Sequence, residues 1–214
     1  MLQKSIAALA AIIILVACGG TPSGSASGPS ASSVSVQPGD VPSAMHKCDL
    51  SGDIDSFLSK SKTKDPNTYT STKSEWDAAK QQGATAAYAA FYADSTANCT
   101  SIESNSSDIS TATYKLVVNF VIQFKDEASA SKGYTSESIF GFSASSLKSG
   151  GAPVVEGTNT GLTANSIVLS ISVASQSFYV AVWQNKAFMV ILAILNIDTA
   201  TSKKVAVAEN GRIK

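Results

Sequence analysis

Between Tyr114 and Phe124 the chain alternates with a period of two: Tyr114, Leu116, Val118, Phe120, Ile122 and Phe124 fall on one side, and Lys115, Asn119 and Gln123 on the other. An extended strand puts successive side chains on opposite faces, so this segment is read as a strand with one apolar face. The partly polar second face predicts an antiparallel sheet open on one side. Downstream, Ile167, Leu169, Ile171 and Val173 alternate with serines, and Ser177 to Gln184 and Ala187 to Ile197 follow with turns near Ser175-Gln176 and Asn185-Lys186. These three segments are predicted to form a β-meander, with Phe188 to Leu195, apolar on both faces, as a central strand. A short strand is expected at Pro153 to Glu156, after the Gly/Ser-rich passage Gly141 to Gly151.

Helices should flank this sheet. Leu50, Ile54, Phe57 and Leu58 mark one face of a short helix, and Asp65-Pro66-Asn67 within an aperiodic Lys60 to Lys73 reads as a turn. Thr72 and Glu75 form a capping-box pattern. A longer helix is predicted from Ser74 to about Ala93, with Trp76, Ala79, Gly83, Ala87, Ala90 and Phe91 on one stripe. Asp126 is expected to cap a helix through Ser136, and Asp198 or Thr201 a closing helix carrying Val205, Ala208 and Ile213. The fold class expected is α+β, an antiparallel sheet with a C-terminal meander flanked by helices and preceded by a disordered tether.

At the amino terminus an apolar run from Ile6 to Val16 stands behind the single basic residue Lys4 and closes in Leu15-Val16-Ala17-Cys18. The layout has the charged, apolar and small-residue segments of a secretory signal, and the run is too short to span a bilayer. It resembles the lipobox of bacterial lipoproteins. That resemblance implies cleavage before Cys18, a diacylglycerol thioether on its sulfur, and attachment to the membrane through that lipid. Removing residues 1–17 takes away Lys4 and leaves 15 basic against 16 acidic residues. No block of like charge exists, so neither a nucleic-acid footprint nor a polybasic membrane patch is indicated.

Residues 19–44 contain no aromatic and no Leu, Ile or Phe, and are dominated by Gly, Ser, Pro, Ala and Thr. Such a composition buries too little apolar surface to offset its ordering entropy. The reading is therefore a signal peptide over 1–17, a lipidated cysteine and disordered tether over 18–44, and one α+β domain over 45–214. A tether of that length reaches roughly 25 to 30 Å on average.

Two further cysteines, Cys48 and Cys99, are expected to pair in an exported chain. Closing so long a loop removes about 4 kcal/mol of denatured-state entropy in the chain-entropy model. A zinc site is the alternative, but there is no C-x-x-C, and His46 is the one histidine.

The strand Val118 to Phe124 running into the Asp126/Ala128 helix, then Gly157-x-x-x-Gly161-Leu162, Phe178-Tyr179-Val180-Ala181-Val182-Trp183 and an Ala-rich closing helix, is similar to the extracellular sensor-type domains of actinobacterial lipoproteins and receptor kinases. The resemblance implies a PsbP-like sandwich that binds a component of the envelope and has no agreed catalytic residues.

Catalytic patterns are weak. A Ser-His-Asp arrangement would have to use His46, placed at the expected tether junction. Gly141-Phe142-Ser143-Ala144-Ser145 lacks the last glycine of a nucleophile elbow, and the Ser-x-x-Lys spacings at Ser59, Ser129 and Ser145 lack their companion motifs. Asp49, Asp53 and Asp55 suggest a calcium loop, yet the glycine falls two positions early and Lys60 stands where a glutamate is needed, so capping and solvated carboxylates are expected instead. No catalytic residue, metal or cofactor is assigned. On the meander, Tyr179, Ala181 and Trp183 oppose Phe178, Val180 and Val182, so one set is either covered or lines a groove. Tyr179 and Trp183 are the candidate ligand contacts. The expected function is a non-catalytic, lipid-anchored binding or sensor-like domain whose partner is an envelope ligand or protein; a secreted hydrolase and a structural envelope protein are the alternatives.

Overall fold

The computed structural model describes residues 28–105, 112–136, 138, 141–173 and 176–214. Cys18 lies outside them. Among the described residues there are seven α-helices and eight strands. The strands are β1 (His46–Lys47), β2 (Gly52–Asp53), β3 (Ala84–Ala93), β4 (Leu116–Phe124), β5 (Val154–Glu156), β6 (Ser166–Val173), β7 (Gln176–Asn185) and β8 (Phe188–Leu195). They form a single antiparallel sheet in the order β1-β3-β4-β8-β7-β6-β5, with β2 also on β3. The predicted strand and meander are present, and the fold is α+β. No described helix is long and apolar enough to cross a membrane.

The front of the sheet carries α2 (Ile54–Lys64), α3 (Pro66–Gln81), α4 (Thr96–Ser104), α5 (Glu127–Ser136) and α6 (Ala144–Ser149). Asp53 caps α2 by accepting from the Ser56 N–H at 2.9 Å, which is the capping role expected of this aspartate cluster. At the centre, Phe57, Phe91 and Phe120 are fully buried, with ring centroids 5.6 to 5.9 Å apart in one stacked and two edge-to-face contacts.

Three expectations are corrected. Ala84–Ala93 is a strand instead of the second half of a helix. Its alanines favour a helix intrinsically, but β3 sits inside the sheet, bonded to β4 on one side and to β1 and β2 on the other, and tertiary pairing overrides propensity. Helix α3 ends at Gln81, and Gly83 just beyond it, with a φ of +101°, reverses the chain into β3. It also begins earlier than expected. Asp65 is its N-cap, accepting from Thr68 N–H at 3.1 Å, and Pro66 is its first residue, so the supposed turn is a helix start.

Second, the sheet is not open on one side. The back face is covered by α7 (Thr199–Asn210), capped by Asp198 as expected, and by the chain around α1 (Ala31–Val34). Third, the expected tether is ordered where it is described. Val34, Val36 and Val41 pack on the back of the sheet at 0%, 0% and 7% exposure, enough apolar burial to hold a segment of otherwise polar composition. His46, likewise, is fixed in β1 opposite Ala93.

Candidate functional site

The bond between Cys48 and Cys99 joins the loop after β1 to α4, with 5.1 Å between the Cα atoms. It pins three elements at one corner of the sheet: β1, the start of α2 and α4. Between α2 and α4 this leaves a groove of about 240 Å3 lined by Asp49, Leu50, Lys60, Thr63, Lys64 and Glu103. A smaller recess of about 90 Å3, with His46, Lys47, Thr96 and Thr100 on its walls, shares Asp49 and Glu103 with it.

The groove is charged but internally balanced. Lys60 Nζ donates to the Asp49 carbonyl and reaches the Ser51 carbonyl at 3.5 Å. Lys64 pairs with Glu103 at 3.5 Å, with the lysine well exposed and the glutamate largely covered. With its lysine exposed and screened by solvent, such a pair contributes little to stability. Beside it, Lys47 Nζ donates to the Tyr88 hydroxyl at 3.0 Å and lies 5.2 Å from that ring's centre. Among the described residues no three His, Cys, Asp or Glu side chains are grouped to hold a metal ion.

The two aromatic residues expected to meet a ligand are elsewhere. Tyr179 and Trp183 are 3% and 0% exposed and belong to the core beneath the back of the sheet. Burial pushes the Tyr179 phenol up to about 12. Trp183 Nε1 has no hydrogen-bond partner, so the indole acts there as an apolar filler. The physical reason is the second layer on the sheet: the opposed set of side chains on β7 is covered rather than left as a groove.

Another recess, of about 200 Å3, lies at the β7–β8 turn and includes Thr163, Asn165, Gln184 and Lys186. Its amides are spent on each other: Asn165 Nδ2 donates to Gln184 Oε1 at 2.8 Å, and Gln184 Nε2 to the Lys186 carbonyl at 2.6 Å. That network fixes the turn, in which Lys186 takes a φ of +48°.

Polar residues that no sequence motif assigned to a site lie on the back face. Asn119, wholly buried, accepts from Val36 N–H at 3.0 Å and donates to the Ile191 carbonyl at 3.3 Å. Arg212 holds Asp40 through two bonds of 3.1 and 2.8 Å. Glu209 is 0% exposed. A signal for it existed: Val205, Glu209 and Ile213 recur every four residues, so Glu209 sits on the stripe that packs inward.

The chain matches no protein-family model, and no curated protein matches it. Among solved structures it is similar to the extracellular domain of PknH from Mycobacterium tuberculosis, with 12% identity and a TM-score of 0.49 over 85% of this chain and 93% of that one.

Proposed function

We propose that this chain is a lipid-anchored protein of the extracytoplasmic face whose domain is a non-catalytic, sensor-like binding module for a component of the envelope. The observation that carries the reading is the Cys48–Cys99 bond, a linkage that persists in oxidising compartments outside the cytosol. The Leu15-Val16-Ala17-Cys18 sequence supports attachment through a diacylglycerol on Cys18. Recognition is assigned to the groove beside the disulfide, where lysines and carboxylates of both signs are presented on elements that the disulfide holds in place. A ligand carrying both a cationic and an anionic group would exchange with the Lys64–Glu103 pair and meet Asp49 and Lys60 at the same time.

Labelling with a fatty-acid analogue tests the anchor: the wild-type chain should be labelled and membrane-bound, and Cys18→Ser neither. Equal labelling of both would reject it. The groove is tested in intact envelopes by placing a photo-crosslinking residue at Thr63 or Thr100. Crosslinks to one envelope component are expected from those positions and not from Lys204 on α7, and equal crosslinking from all three would remove the groove from the account.

A further inference from the structure

The chain segment from Ser30 to Val41 lies across the back of the sheet as a strap, and every contact that holds it is non-covalent. Arg212 donates from Nε to the Val34 carbonyl and from Nη2 to the Ser35 carbonyl, both at 3.0 Å, while gripping the Asp40 carboxylate. Tyr92 donates its hydroxyl to the Val36 carbonyl at 2.9 Å, and Asn119 takes the Val36 N–H. Val34 and Val36 fill the apolar seat beneath.

Within this seat Glu209 is fully buried, and neither carboxyl oxygen has a hydrogen-bond partner of normal geometry. Desolvation pushes its carboxyl well above the ordinary range. The nearby Asn119 amide and Arg212 guanidinium oppose that shift, and Asp40 adds to it. Asn119 and Arg212 therefore each touch the strap and each act on this carboxyl. The titratable and charged groups facing it are Arg212 just beyond α7, Asp40 on the strap and Tyr92 on β3. Burial raises the Tyr92 phenol well above its already high ordinary value, so it stays neutral while Glu209 titrates.

We propose that the strap is a proton-linked latch: it is seated over a neutral Glu209 and is released when water reaches that carboxyl and it ionises. The seated state keeps one proton that the open state gives up at ordinary carboxyl pH. The seat is therefore fully stable below the carboxyl's ordinary value of 4.5 and weakens as pH rises toward the raised value. Through that window the opening constant rises by up to about tenfold per pH unit. If the anchor proposed above holds, release of these residues would add up to about 40 Å, at ~3.3 Å per residue, to the reach between Cys18 and the sheet.

The test is hydrogen exchange on the full chain, corrected for the intrinsic pH dependence of amide exchange. The opening constant of the Val34 to Asp40 amides should be at least about tenfold larger at pH 8 than at pH 5, while Val190 and Leu192 in β8 stay protected at both. Glu209→Gln, neutral at every pH, should flatten the strap's dependence; Glu209→Met serves if that variant does not fold. Equal strap opening at the two pH values, a slope unchanged in the variant, or loss of protection spread evenly into β8 would overturn the proposal. None of these readouts depends on lipidation of Cys18.

Discussion

The two faces of this sheet are closed by opposite chemistry. On the front, five helices pack over a buried aromatic centre, and a covalent bond ties α4 to the loop after β1. On the back, the Ser30 to Val41 segment is held by the Arg212 guanidinium from more than 170 residues away, by the Asn119 amide on β4 and by the Tyr92 phenol on β3. Covalent closure constrains the unfolded chain and is indifferent to pH, whereas polar closure over a buried carboxyl is sensitive to it. The front is accordingly a scaffold and the back a seat that opens. The groove proposed for recognition belongs to the scaffold.

The largest effects should come from the aromatics at each centre, and they ask whether both faces are true core. Phe120→Ala on the front and Trp183→Ala on the back are each expected to cost about 3 to 5 kcal/mol in denaturant unfolding. Trp183→Phe should cost clearly less than Trp183→Ala, because the phenyl ring keeps much of the buried volume and, Nε1 having no partner, no hydrogen bond is lost. If Trp183→Ala leaves stability unchanged, the back face is not core and the comparison breaks. Next in size, replacing Cys48 and Cys99 together by serine should remove about 4 kcal/mol in the chain-entropy model while leaving hydrogen exchange of the strap unaltered. Loosening of the strap to the same degree would show the two closures to be coupled.

Smaller still, Arg212→Met should cost about 1.5 to 3 kcal/mol, from the loss of charge-assisted bonds to two carbonyls and Asp40, with increased exchange confined to the strap. Gly133→Ala is the matching front-face probe. A Cβ there would stand 2.5 Å from the Phe124 ring, so about 1 to 3 kcal/mol of overpacking is expected even though only one methyl is added. A neutral result would mean that α5 can lift from β4 and that the front is less tightly packed than the back.

Much of this architecture was legible in the sequence where side-chain period and local capping agree. β4, the meander and the Asp198 start of α7 are of this kind. The errors fall where local signals pointed away from long-range pairing. Ala84–Ala93 reads as helix because alanine leads the helix scale, and only its partners in β4, β1 and β2 make it a strand. Val34 and Val36 look like strays in a Gly/Ser run until Asn119 and Arg212, 83 and 178 residues away, supply their backbone partners. The same second layer turned Tyr179 and Trp183 from expected contacts into packing. The disulfide was readable from cysteine count and export. The groove beside it was not, because Glu103 joins Asp49 and Lys60 only when the fold sets α4 beside α2.

The most direct test of the two-faced core is the accessibility of Trp183, measured by fluorescence quenching in a Trp76→Phe chain, where it is the sole indole. At pH 5, with the strap seated, the account predicts blue-shifted emission and strong resistance to acrylamide and iodide. Red-shifted emission quenched as readily as a free indole would contradict it, and would return Trp183 to the surface as a residue available for binding.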